Sequence, residues 1–242
     1  MVARLRFPPP EPLFCASIIT SLTEPSPDLI AENLACRRGE RMIFTGVSFR
    51  LPVGGALVLM GANGSGKTSL LRILATLLPA AAGSLLWGSA SIEADLIGYR
   101  ARLRYVGHHD AVKPGMTPRE TLVFSAALQG LSWRLAPRLA DAALAALALD
   151  GVADWPCRWL SAGQRRRLAL ARLLTAPALI WLLDEPTTGL DHESRQRFET
   201  AIAAHRANGG RVAVASHQAI DIADATTITL DAFTPSPGFA VC

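Results

Sequence analysis

The chain has 242 residues, half of them hydrophobic and 18% charged, with a net charge of +4; it is long enough to bury a substantial core in one α/β domain, and this balance excludes a disordered chain. Its basic residues are spread rather than clustered, so no nucleic-acid partner is expected. Cys15, Cys36, Cys157 and Cys242 lie far apart with no C-x-x-C spacing, which argues against a metal knuckle or a disulfide framework.

Residues 1–27, with Pro8-Pro9-Pro10, show no sustained period and read as an irregular extension; the broken apolar run Leu13 to Ile19 is too short for a secretory signal. Between Leu29 and Leu51, β-like runs such as Met42-Ile43-Phe44 and Val47-Ser48-Phe49 predict an antiparallel layer. Ala56 to Met60 is a continuous apolar run, the mark of a strand buried on both faces of a parallel sheet. It leads into Gly61-Ala62-Asn63-Gly64-Ser65-Gly66-Lys67-Thr68, which has the G-x-x-x-x-G-K-[ST] spacing of a phosphate-binding loop. Leu70, Ile73, Leu74 and Leu77 then recur at helical spacing. Such a loop turns successive N–H groups toward phosphate oxygens at the positive end of a helix; Lys67 is expected on the β/γ-phosphates and Thr68 on Mg²⁺.

Gly83 to Gly88 and Leu103 to Val106 resume strand character. Thr117-Pro118-Arg119-Glu120 is a capping box with proline at the first helical position, opening a helix expected to stop at Gly130. A second helix is expected from about Pro137 to Leu149, and the two form a helical lobe over about residues 108–160. Ser161 and Gln164 form another capping box, but Arg165, Arg166 and Arg167 then oppose the helix dipole, which predicts a site that welcomes an anion.

Leu179 to Leu183 reads as a second buried parallel strand, ending in Asp184-Glu185. Ligands of open α/β sheets bind at the carboxyl ends of strands, so Asp184 is expected to hold Mg²⁺ and Glu185 to orient or deprotonate the attacking water. Asp191, after Gly189-Leu190, reads as a helix N-cap, and that helix should end near Asn208-Gly209-Gly210. Val212 to Ser216 is the next strand, with His217 at its end as a candidate γ-phosphate contact. The most apolar long stretch, Leu168 to Leu183, carries Arg172 and Pro177 and is a poor membrane span.

In this order the motifs resemble the nucleotide-binding subunit of ABC transporters over roughly Leu29 to Leu230. Gly61 to Thr68, with Ser69, look like its Walker A loop, Leu160 to Gln164 its signature, Leu179 to Glu185 its Walker B strand with the catalytic glutamate, Gly189 to Asp191 its D-loop and His217 its switch histidine. The resemblance implies an α/β fold: a P-loop NTPase core with a parallel sheet, an antiparallel β layer and an inserted helical lobe. The ATP-binding domain would span 28–231, with a tail at 232–242. ATP and Mg²⁺ are the implied cofactors, and a homodimer is implied in which Ser161 and Gly163 of one copy close over ATP held by Lys67 of the other. Three positions depart from the family pattern. Ala162 replaces the first glycine of the signature pair, His108 replaces the glutamine that links Mg²⁺ to the lobe, and Arg38 falls where an aromatic stacks on adenine, a role its guanidinium plane can take.

The segment Tyr105 to Lys113, with the Thr117 cap and the Leu-Ser-Ala-Gly-Gln signature, resembles one branch, the CcmA family of ATP-binding subunits of the cytochrome c biogenesis haem exporter. That resemblance implies a peripheral subunit on the cytoplasmic side of a bacterial inner membrane. It would contact the membrane only through integral permease subunits of the exporter. An ATPase for another transported substrate is the alternative, since nothing in a nucleotide subunit touches cargo.

Overall fold

The computed structural model describes residues 26–217 and 220–235. The expected N-terminal extension, apart from Ser26 and Pro27, and the tail beyond residue 235 lie outside them, as do Cys15 and Cys242. Among the described residues nine strands form two sheets. A four-stranded antiparallel sheet contains β1 (Leu29–Arg38), β2 (Arg41–Leu51), β4 (Ala82–Trp87) and β5 (Ala90–Ser91), in the order β2-β1-β4-β5. A five-stranded parallel sheet contains β3 (Ala56–Met60), β6 (Leu103–Val106), β7 (Ile180–Asp184), β8 (Arg211–Ala215) and β9 (Thr226–Thr229), in the order β6-β7-β8-β3-β9. Met42 to Phe44 and Val47 to Phe49 prove to be parts of one strand, β2, because its pairing with β1 continues past Gly46 through bulges.

The period of two explains the continuous apolar runs. Ile180 and Leu182 of β7 pack with the antiparallel sheet and helix α1 (Lys67–Leu74), while Trp181 and Leu183 face a second core shared with the helical lobe and Phe198 and Ile202. Both faces are therefore covered. Helix α1 stops earlier than the apolar spacing suggests: Thr76 adopts a left-handed φ of 57°, and Leu77 lies outside the helix, 63% exposed. A short helix α2 (Leu96–Ala101) precedes β6.

The lobe between β6 and β7 consists of α3 (Pro118–Leu128) and α4 (Ala136–Ala146) packed together through Leu122, Ala126, Ala140 and Leu144. The Thr117 capping box is present in both directions, and Gly130 ends the α3 segment with φ 85°. Helix α4 stops at Ala146, short of the expected Leu149, and Ala148 just beyond it adopts a left-handed φ of 51°. Ser161 and Gln164 cap α5 (Ala162–Ala171), and Asp191 caps α6 (His192–Ala207) by accepting from the Ser194 N–H at 2.8 Å. Among the described residues no helix is long and apolar enough to cross a membrane.

Candidate functional site

Strand order brings the motifs together. β8 lies between β3 and β7, and β6 adjoins β7, so the carboxyl ends of four neighbouring strands present the glycine loop, Gly107-His108, Asp184-Glu185 and His217 along one edge. A cleft of about 560 Å³ opens there, lined by Arg38, Asn63, Gly64, Gly66, Lys67, Thr68, Ser69, His108, Asp184, Glu185 and His217 among others.

The loop owes its shape to its glycines. Gly66 has φ 103°, and a Cβ there would fall 2.7 Å from Ile43 and 2.8 Å from Phe44; at Gly61, φ 141°, it would meet the Ser65 hydroxyl at 2.7 Å. Gly66 is also the N-cap of α1 and supplies no side-chain acceptor, unlike the capped starts of α3, α5 and α6. The first N–H groups of α1 thereby have no side-chain cap. Lys67 is 7% exposed, and its Nζ donates to the carbonyls of Gly61 (2.6 Å) and Ala62 (3.0 Å).

Thr68 Oγ1 donates to Asp184 Oδ1 at 3.0 Å. Asp184 is buried, and its Oδ2 has no hydrogen-bond partner. A bare carboxylate oxygen beside a hydroxyl is the donor set of a hard divalent cation. Burial first, and the Asp184 charge more weakly, hold the neighbouring Tyr105 phenol above its ordinary pKa. Glu185 has φ 49°, a left-handed conformation uncommon outside glycine, asparagine and aspartate. Its Oε2 lies 2.7 Å from His217 Nδ1 and also accepts from the His217 N–H at 3.4 Å. An acid facing the cleft and a half-exposed imidazole are thus paired at the carboxyl ends of β7 and β8.

Several expected residues sit elsewhere. Ser161 and Asp191 are exposed outside the cleft, and Gly163 lies against Gly189, so that a Cβ on it would be 3.3 Å from the Gly189 carbonyl. Gly61 and Ala62 close the loop from behind, on the side of a smaller cleft with Arg41 and Asp231. The three arginines after the signature do not form an anion site. Arg165 donates to the Leu160 carbonyl, Arg167 to those of Leu147 and Ala148, and Arg166 to carbonyls at the ends of β6 and β7. Backbone carbonyls, joined at Arg166 by the Asp110 carboxylate, hold these cations.

Sequence reasoning missed Asp231. Its carboxylate accepts from the Ala62 N–H, at 3.1 and 3.3 Å from the two oxygens, and so pins the entrance of the phosphate loop. The two residues are 169 positions apart, and no local pattern marks the contact.

Comparison with known proteins agrees with this geometry. Residues 44–188 match the ABC transporter family. The chain is 53% identical over 209 residues to the cytochrome c biogenesis ATP-binding export protein CcmA of Rhodospirillum rubrum, covering 86% of this chain and 88% of that protein. It is 50% identical to the CcmA of Paramagnetospirillum magneticum, covering 84% and 94%. A solved ABC transporter ATP-binding protein from Pyrococcus furiosus superposes with a TM-score of 0.73 at 21% identity, over 86% of this chain and all of that one.

Proposed function

Because the chain belongs to the ABC transporter family, and within it to the CcmA branch of cytochrome c biogenesis ATP-binding export proteins, we propose that it is the ATP-hydrolysing subunit of a haem exporter complex supporting c-type cytochrome maturation. The observation that carries this reading is the 53% identity over nearly the whole length of a CcmA protein, joined to one cleft that gathers the phosphate loop, both acids and the histidine.

In this reading the free N–H groups of α1 and the Lys67 ammonium hold the β- and γ-phosphates, and Ser69 and Arg38 border the nucleotide. Thr68 and Asp184 fit Mg²⁺, with His108 at the rim; when bound, the ion neutralises charge on the phosphates. Glu185 accepts a proton from, or orients, the attacking water. His217 holds the Glu185 carboxylate and stands ready for the γ-phosphate. Residues 28–231 form the ATP-binding domain.

The placement of the signature supports a homodimer. Ser161 and Ala162 are exposed and turned away from their own cleft, so Ser161, Gly163 and Asp191 are available to the nucleotide of a second copy. Contact with the bacterial inner membrane, on its cytoplasmic side, is made through permease subunits that dock on the helical lobe. Lys113 is exposed there beside Phe124, whereas Arg119 is held by Asp141 and Asp154. Lys113→Glu is therefore expected to weaken copurification with permease subunits and leave ATP binding unchanged. The function is tested by haem staining of c-type cytochromes in cells whose only copy is Lys67→Ala. Loss of staining is expected, and normal maturation would assign the chain to another exporter.

A further inference from the structure

Arg166 is the fifth residue of α5, and although charged it is only 5% exposed. Its guanidinium joins three segments. Nη2 donates to the carbonyls of Asp184 (2.8 Å) and Glu185 (2.6 Å), and Nε to that of Pro186 (3.2 Å). Nη1 donates to the Gly107 carbonyl (2.9 Å) and lies 3.4 Å from that of His108 and 3.3 Å from Asp110 Oδ1. Five N–H donors meet these six acceptors, so none is left for a ligand.

Three consecutive carbonyls, 184 to 186, thus converge on one planar group. Convergence of that kind fixes the peptide planes on both sides of Glu185, and Glu185 is the residue whose φ of 49° needs outside support. At its other edge the Glu185 N–H donates to the Ala215 carbonyl at 2.9 Å. The backbone of the acid is therefore held from β8 on one side and from α5 on the other. The same fork ties the turn to Gly107-His108 in the loop after β6. A lysine, with three donors on one compact head, cannot span this set of acceptors.

We propose that Arg166 is a positioning residue for hydrolysis: it holds the Glu185 backbone in the left-handed turn that aims its carboxylate into the cleft, and it couples that aim to the His108 loop. The inference rests on the reading of Glu185 as the group that orients or deprotonates water. It predicts an effect on turnover, not on nucleotide capture, since Arg166 touches no residue of the phosphate loop.

The test is a double-mutant cycle on the purified full chain, with kcat and KM for Mg-ATP, a fluorescent nucleotide for binding and single-turnover phosphate release for the slow variants. Arg166→Lys is expected to lower kcat about ten- to hundredfold, the scale of an acid displaced by about 1 Å, with KM within about threefold. In a Glu185→Gln background the same change should lower the residual rate less than about twofold, because the group it positions is already gone. Arg166→Gln, which keeps a side-chain amide donor for the carbonyls, takes its place if the lysine variant fails to bind nucleotide. Equal losses in the two backgrounds, or a loss lying wholly in KM, would overturn the proposal. Near-normal turnover by Glu185→Gln alone would instead overturn the reading of Glu185 on which it rests.

Discussion

At the carboxyl ends of β7 and β8, Asp184 keeps one oxygen bare and Glu185 shares a single contact pair with a half-exposed His217. At the amino ends of the same strands the ionisable groups are closed off. Trp181 stacks on His205 at 3.9 Å with 3° between the planes, His205 Nε2 lies 3.2 Å from the Arg211 carbonyl, and the Arg211 guanidinium sits 4.8 Å from the Trp87 ring centroid. Arg211 is fully buried and donates to Leu51, Ser26 and Pro27. Gly210 is required beside this stack, since a Cβ would fall 2.2 Å from the His205 ring. Both ends bury charge. The Trp181 indole N–H is also without a partner, so what separates the reactive end from the scaffold end is whether the ionisable groups have bonding capacity to spare.

The largest expected effect breaks the reactive end alone. Lys67→Ala should abolish productive ATP binding. Glu185→Gln should bind ATP normally and hydrolyse about 10²- to 10⁴-fold more slowly, roughly 3 to 5 kcal/mol of barrier. Neither should move the urea midpoint of unfolding; a clear shift would mean that the reactive end also carries the fold.

The converse change is at Arg211. Arg211→Met leaves the carbonyl of buried Leu51, and those of Ser26 and Pro27, without their donor, which should cost about 3 kcal/mol in urea unfolding. The KM for ATP of the folded fraction should stay unchanged. A raised KM with full stability would reverse the comparison.

His205 gives the comparison a pH axis. Burial, its largest influence, lowers its pKa from 6.5 to about 4. Above about 6.5 the imidazole is neutral in both folded and unfolded chains, and its contribution is fully present. As pH falls from about 6.5 toward about 4 the unfolded chain takes the proton first, so stability should drop by roughly 3 kcal/mol and then level off for this group. His205→Phe keeps a ring on Trp181 and loses a hydrogen bond worth about 1 kcal/mol. Its stability should start lower and lack that acid slope, as measured by unfolding at a series of pH values.

The smallest effect lies between the two ends. Asp231→Ala frees the Ala62 N–H, and the KM for ATP should rise about threefold at unchanged kcat, the scale of one partly exposed hydrogen bond. Asp231→Asn retains an acceptor and should restore the parent value.

The reactive end was far more legible in the sequence than the scaffold end, for a physical reason. Glycines at fixed spacing, continuous apolar strands and capping boxes are local patterns, and Gly61 to Thr68, Asp184-Glu185, Thr117 and Ser161 are all read that way. Arg211 gives no local sign of burial, since its acceptors Ser26 and Pro27 are about 185 positions away. The arginines of α5 were conspicuous as a broken rule, but their carbonyl partners depend on how β6 and β7 finish side by side. Leu77 fitted the helical period and still fell outside the helix, because the left-handed turn at Thr76 overrides spacing.

The arginine anchors have one more consequence, which concerns ionic strength. Surface pairs such as Arg197 with Glu193, or Arg102 with Asp95, stand in water and weaken as salt shortens the Debye length from about 10 Å at 0.1 M to about 3 Å at 1 M. Arg166 and Arg211 grip mainly neutral carbonyl dipoles in the interior, where mobile ions do not enter. Rising salt would therefore weaken surface ion pairing in this subunit long before the frame around its acid pair relaxes.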